Sequence, residues 1–178
     1  AAALFVKASG VPMDAITPSG FVCLDQAYLR KLRAIPALND AAMAGEFRTH
    51  LLQDSPLMPS IETLMHAFLD RKCIAHTHPS AILALTNRAG AEEVIAAALG
   101  RDVQVVPYTD SGLALGRAVA DAFDSGKEPR AIVVMNHGLV TWGDDPKAAY
   151  ERTIEMASRA EAYLNENRRQ VPAGAGPD

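Results

Sequence analysis

Residues Ala131-Ile132-Val133-Val134-Met135 form an unbroken apolar run rich in β-branched side chains. A strand that is apolar on both sides has no face to offer water, so it needs packing above and below. The rest of the chain is built to supply those layers. Short apolar stretches at 4–7, 73–78 and 103–106 read as strands. Residues 139–142 read as the antiparallel neighbour of the central run, across the Asn136-His137-Gly138 turn. Between them lie helical segments. Asp25 starts one that runs to about 34, ended by Pro36. Others cover 40–52, 60–69 with Ser60 as N-cap, 80–86, 91–99 and 112–125. Asp145 followed by Pro146 opens a last helix to about 167, with Ala149, Thr153, Met156, Ala160 and Leu164 inward. The segment Ile16-Thr17-Pro18-Ser19-Gly20 is punctuated as a loop. Strands alternating with helices make a single layered α/β domain. It covers 1–170 and leaves a Pro/Gly/Ala-rich tail, 171–178, expected to be disordered.

The 178 residues, 49% of them hydrophobic, suit one domain with a substantial core. A net charge of −4 gives no basic footprint, so no nucleic-acid partner is expected. No apolar run approaches the ~18 residues of a membrane span, and no signal peptide is visible. Two scattered cysteines, Cys23 and Cys73, fit a reducing cytoplasm rather than a disulfide scaffold. The chain begins on a strand without an initiator Met, as a chain missing its N-terminus would.

The chain's five histidines are His50, His66, His76, His78 and His137. His76 and His78 are two apart on a strand, so their side chains share a face, and Pro79 places the pair at the sheet's rim. Such a pair either chelates a metal or makes structural hydrogen bonds. His137 follows the buried run, where α/β folds build their sites. Three imidazoles with an open or carboxylate fourth position are a catalytic zinc pattern; a structural site would use more sulfur. Glu62, on the first turn of its helix, reads locally as a solvated charge favourable to the helix dipole. His66, one turn on, reads as a partly buried structural histidine, and His50 as a surface residue. Ser9-Gly10 and Ser19-Gly20 are hydroxyl-glycine loops that serve as turns or present N–H and O–H groups to a phosphate.

In order, Ile16-Thr17-Pro18-Ser19-Gly20, Pro59-Ser60-Ile61-Glu62-Thr63-Leu64-Met65-His66, His76-Thr77-His78-Pro79, Val106-Pro107-Tyr108 and Asn136-His137-Gly138-Leu139-Val140 with Gly143 resemble the class II aldolase/adducin family over nearly the whole chain. Within it, the chain most resembles the aldolase part of bifunctional rhamnulose-phosphate aldolase/dehydrogenase proteins. The resemblance implies a three-layer α/β/α fold around a central, mostly antiparallel sheet. It implies Zn2+, or another divalent ion such as Mn, Co or Fe, on His76, His78 and His137, with Glu62 as catalytic acid/base. Ser60 and the loops at Ser9, Gly10, Ser19 and Gly20 would hold a substrate phosphate. The sequence departs from the family where many members carry a second serine and this chain has Ile61. The family's Gly-Asn loop would lie upstream of Ala1, and no tyrosine follows Asn167.

The implied reaction is retro-aldol cleavage of a ketose or ketose phosphate through a metal-stabilised enediolate, in a cytoplasmic homotetramer. A sugar-phosphate epimerase or dehydratase would use the same three histidines, since site details rather than fold decide the reaction. An adducin-like binding module would need none of them.

Overall fold

The computed structural model describes residues 2–168; the expected tail at 171–178 lies outside them. A four-stranded sheet forms the centre, in the order β3 (Cys73–Thr77), β6 (Gly138–Gly143), β5 (Ala131–Val134), β4 (Val103–Val106). β3 with β6 and β6 with β5 are antiparallel, while β4 runs parallel to β5. The sheet is therefore mixed, with two of its three pairings antiparallel. β5 is buried at every residue, as its composition requires.

Alternation along the strands sorts two cores. Ile132, Val134, Val140 and Trp142 pack against α3 (Thr63–Phe68), α6 (Leu113–Phe123) and α2 (Asp40–Thr49). Ala131, Val133 and Leu139 face the other way, onto α4 (Ser80–Thr86), α5 (Ala91–Leu99) and α7 (Pro146–Glu166). Helices thus cover both faces, and the fold is the expected α/β/α sandwich. His76 lies opposite Val140 in the β3–β6 register, so its ring projects on the α3 side.

A separate antiparallel hairpin of β1 (Ala3–Lys7) and β2 (Phe21–Asp25) adds Val6, Val22 and Leu24 to the α3-side core. β2 is absent from the sequence reading. Its Val22, Cys23 and Leu24 are all buried, so it carries no alternation to announce it. Asp25 caps α1 (Gln26–Lys31) by accepting from the Tyr28 amide, and Leu32–Ala34 continues it as one 3-10 turn. Asp145 caps α7 in the same way, through the Ala148 amide. α2 ends at Thr49, earlier than the spacing predicts. Among the described residues, no helix is long and apolar enough to cross a membrane.

Candidate metal centre

Three elements converge at one end of the sheet. β3 delivers His76, and His78 follows one residue past its end. The three-residue β5–β6 turn delivers His137. That turn closes with the His137 amide donating to the Val134 carbonyl at 3.2 Å, and with Asn136 at φ +55°. Asparagine tolerates this left-handed conformation better than most residues. The third element is the entry to α3, which delivers Glu62.

Glu62 and Ser60 sit differently from the local expectation. The helix begins at Thr63, not at Ser60, and Glu62 occupies the N-cap without capping through its side chain. Ser60 instead closes a tight turn. Its Oγ accepts from the Glu62 amide at 3.3 Å, and its carbonyl accepts from the Thr63 amide and hydroxyl at 3.1 and 2.6 Å. The Glu62 carboxylate is thereby released from the helix and turned into the histidine cluster. Oε1 lies 2.8 Å from His137 Nε2, and Oε2 lies 3.4 Å from His76 Nε2. Its side chain is 15% exposed, so it is not the solvated dipole charge of the local reading.

His76 Nε2 and His78 Nε2 are 3.0 Å apart. One ligand atom from each of Glu62, His76, His78 and His137 falls within 4.8 Å of the others. Atoms bound to one tetrahedral ion at ~2.0–2.1 Å lie about 3.3 Å apart, so these separations suit a shared cation. Two further features fit the cluster to that use. His76 Nδ1 lies 3.0 Å from the Leu139 carbonyl, a bond that fixes the proton there and leaves Nε2 facing the centre. Gly138 packs its bare Cα against the histidines. A Cβ there would meet the Thr77 carbonyl at 2.5 Å and the His78 ring at 2.6 Å.

The charges suit ligation. Burial raises the Glu62 carboxyl pKa, but a hydrogen bond from His76 and the charges of His76, His137 and His78 outweigh it and hold the group at about 2. Burial, with the charges of His76 and His137, lowers the pKa of His78 despite Glu62. Both shifts, in Glu62 and in His78, favour the deprotonated forms that bind metal. His66 is outside the cluster, and burial lowers its pKa to about 4. His50 is not a bare surface residue. It stacks on Tyr28 with ring centroids 3.3 Å apart and lies 2.8 Å from the Glu46 carbonyl.

The hydroxyl-glycine loops lie together beside Ser60. The Ala8 amide donates to the Gly20 carbonyl and the Ser9 amide to the Met58 carbonyl, each at 2.9 Å. Ser9, Gly10 and Ser19 are exposed and Gly20 is buried. Ser19 Oγ is bonded to Thr17 Oγ1 at 2.8 Å. Two polar neighbours are absent from the sequence reading. Lys7 folds over the Ser9-Gly10 turn and donates to the Ala8 and Val11 carbonyls at 2.9 and 2.6 Å. Ser111 reaches Glu62 Oε1 at 3.4 Å. Lys7 is local to the turn it covers but belongs to no motif, and Ser111, 49 positions from Glu62, is brought near by the folded chain alone.

The sequence pattern of the class II aldolase and adducin N-terminal domain matches residues 1–164. The chain belongs to the class II aldolase and adducin family. Family members of aldolase type use a divalent metal, and Glu62, His76, His78 and His137 form a cluster with the donors to bind one. The N-terminal class II aldolase domain of a conserved protein from Thermoplasma acidophilum is 36% identical. It superposes with a TM-score of 0.84 over 91% of this chain and 75% of that one. An L-fuculose 1-phosphate aldolase (22% identity, TM-score 0.61, 99% and 75% covered) and a sugar-phosphate aldolase from Thermotoga maritima (19%, 0.68, 95% and 74%) share the fold. An uncharacterized oxidoreductase of Bacillus subtilis, YuxG, is 31% identical over 174 residues, 96% of this chain. The chain spans only 25% of that relative's length.

Proposed function

We propose that this domain is a divalent-metal-dependent aldehyde-lyase that cleaves a ketose or ketose phosphate by retro-aldol reaction. The observation that carries the reading is the convergence of Glu62 on three imidazoles, with all four donors within 4.8 Å. His76, His78 and His137 would hold the ion, zinc by the chemistry of three nitrogen donors. When bound, the ion supplies a Lewis acid that draws negative charge onto the substrate oxygens.

Glu62 handles the proton. Retro-aldol cleavage removes a proton from the hydroxyl beyond the breaking C–C bond, and the O–H electrons become the new aldehyde C=O. The C–C electrons go to the ketone fragment, whose carbon finally takes up a proton. One proton leaves and one returns, so a single carboxylate that is ionised at the start can serve both steps. Ser60 and the adjoining Ser9-Gly10 and Ser19-Gly20 loops would bind the substrate phosphate through hydroxyl and amide groups. A homotetramer belongs to the same proposal, with light scattering as its test. So does placement as the aldolase part of a fused aldolase/dehydrogenase, supported by the alignment to one quarter of a relative named an oxidoreductase.

The experiment is an aldol-cleavage assay of zinc-loaded protein over a panel of ketoses and ketose phosphates, reading dihydroxyacetone phosphate or lactaldehyde. Cleavage of at least one substrate, abolished by chelator, is expected. A metal-loaded protein that cleaves none, or cleaves equally well after chelation, contradicts the reading.

A further inference from the structure

We propose that Ser111 is a positioning residue that holds Glu62 in the orientation needed for proton transfer. The inference rests on the reading of Glu62 as the proton-transfer group.

Three observations carry it. First, Ser111 Oγ donates at 3.4 Å to Glu62 Oε1, the oxygen that His137 Nε2 also approaches. The other contacts of that carboxylate, His137 at 2.8 Å and His76 at 3.4 Å, tie it to candidate metal ligands. Ser111 adds a hydrogen bond from a residue that is not a candidate ligand. Second, the residue after it is Gly112, at φ +100° and ψ −140°. Only glycine enters that region without strain, and a Cβ there would also press on Met43 at 3.3 Å. This backbone turn lies between Ser111 and the start of α6. Third, Gly116 lets α6 lie directly on α3. A Cβ at 116 would meet the Met65 amide nitrogen at 3.2 Å and the Leu64 carbonyl carbon at 3.3 Å. The close packing brings the start of α6 to the start of α3. Ser111-Gly112 and Gly116 thus work as one device that seats a hydroxyl against Glu62.

The consequence concerns the role of the carboxylate. A Glu62 without the Ser111 hydrogen bond is freer to turn into the three imidazoles and serve as a ligand. Held at Oε1, it stays in the orientation in which it can meet the substrate proton.

The test uses Ser111→Ala, Ser111→Cys and Ser111→Thr. Cysteine is nearly isosteric but a weak donor; threonine keeps the hydroxyl. Each protein is loaded with Co2+ alone, and its visible absorption is recorded without substrate. We expect altered band intensity in the Ala and Cys variants and a wild-type spectrum in the Thr variant. With a cleaved substrate in hand, kcat should fall about tenfold in Ala and Cys, as for loss of a hydrogen bond to a charged group. KM should stay within about twofold, since the bond acts on proton transfer rather than on binding. A wild-type cobalt spectrum in both Ala and Cys, or a Thr spectrum as altered as theirs, overturns the proposal. Absence of any cleavable substrate would sink the lyase reading instead, and the cobalt comparison would still decide Ser111.

Discussion

Gly138→Ala probes how closely the sheet backbone and the candidate ligands are built together. The added Cβ would stand 2.5 Å from the Thr77 carbonyl oxygen, 2.6 Å from His78 Cδ2 and 3.3 Å from His76 Cε1. Ordinary contacts begin at about 3.4 Å, so roughly 0.9 Å must be relieved at the carbonyl and 0.8 Å at the ring. The carbonyl belongs to the β3–β6 ladder, where Thr77 pairs with Leu139, and it cannot retreat without loosening that pairing. His78 is past the strand end and yields more easily. Overpacking of this kind costs about 1–3 kcal/mol. For a domain of this size that lowers Tm by roughly 2–12 °C. Displacing the His78 ring should weaken metal binding by about 10–100-fold, the range for disturbing a ligand's support. Competition against a zinc chelator measures the affinity, and melting of the metal-free protein measures the strain. A variant that melts and binds zinc as the wild type does would refute the reasoning. A lowered Tm with unchanged affinity would show that the backbone yields and His78 is no ligand.

Two further outcomes follow from the same geometry. Glu62→Gln keeps the shape of the side chain and removes its basicity; turnover should fall by about two to four orders of magnitude, with metal content nearly unchanged. Wild-type turnover at full metal content would exclude the catalytic role. The metal-free protein should lose stability as pH falls from about 7. His66 at about 4 and Glu62 at about 2 both lie below their ordinary values of 6.5 and 4.5. The unfolded chain therefore binds more protons in each interval, and the stabilisation is full above the ordinary value and lost below it. His66→Leu should flatten the loss between pH 6.5 and 4, and denaturant midpoints that track the wild type through that range would contradict it.

Much of this was legible in the sequence because it is locally encoded. The run Ala131–Val134 is buried on both faces as its side chains demand, and Asp25 and Asp145 cap the helices they precede. The His76/His78 pair shares a face because strand geometry alternates. What local reasoning mistakes is what tertiary structure overrides. Glu62 has the sequence context of a helix-dipole charge, and its turn toward His137, 75 positions away, has no local trace. The stacking partner of His50 is Tyr28, and Ser111 reaches Glu62 across 49 positions, where Gly116 lets two helices touch. β2 escaped because hairpin and helix layers bury successive residues, which erases the alternation that marks a strand.

The central claim is that His76, His78 and His137 hold a divalent ion. Elemental analysis of protein purified without chelator tests it most directly, with His76→Ala prepared in parallel. The account predicts about one ion per chain in the wild type, zinc foremost, and little or none in the variant. Wild-type protein without metal, or His76→Ala carrying the wild-type amount, would contradict it.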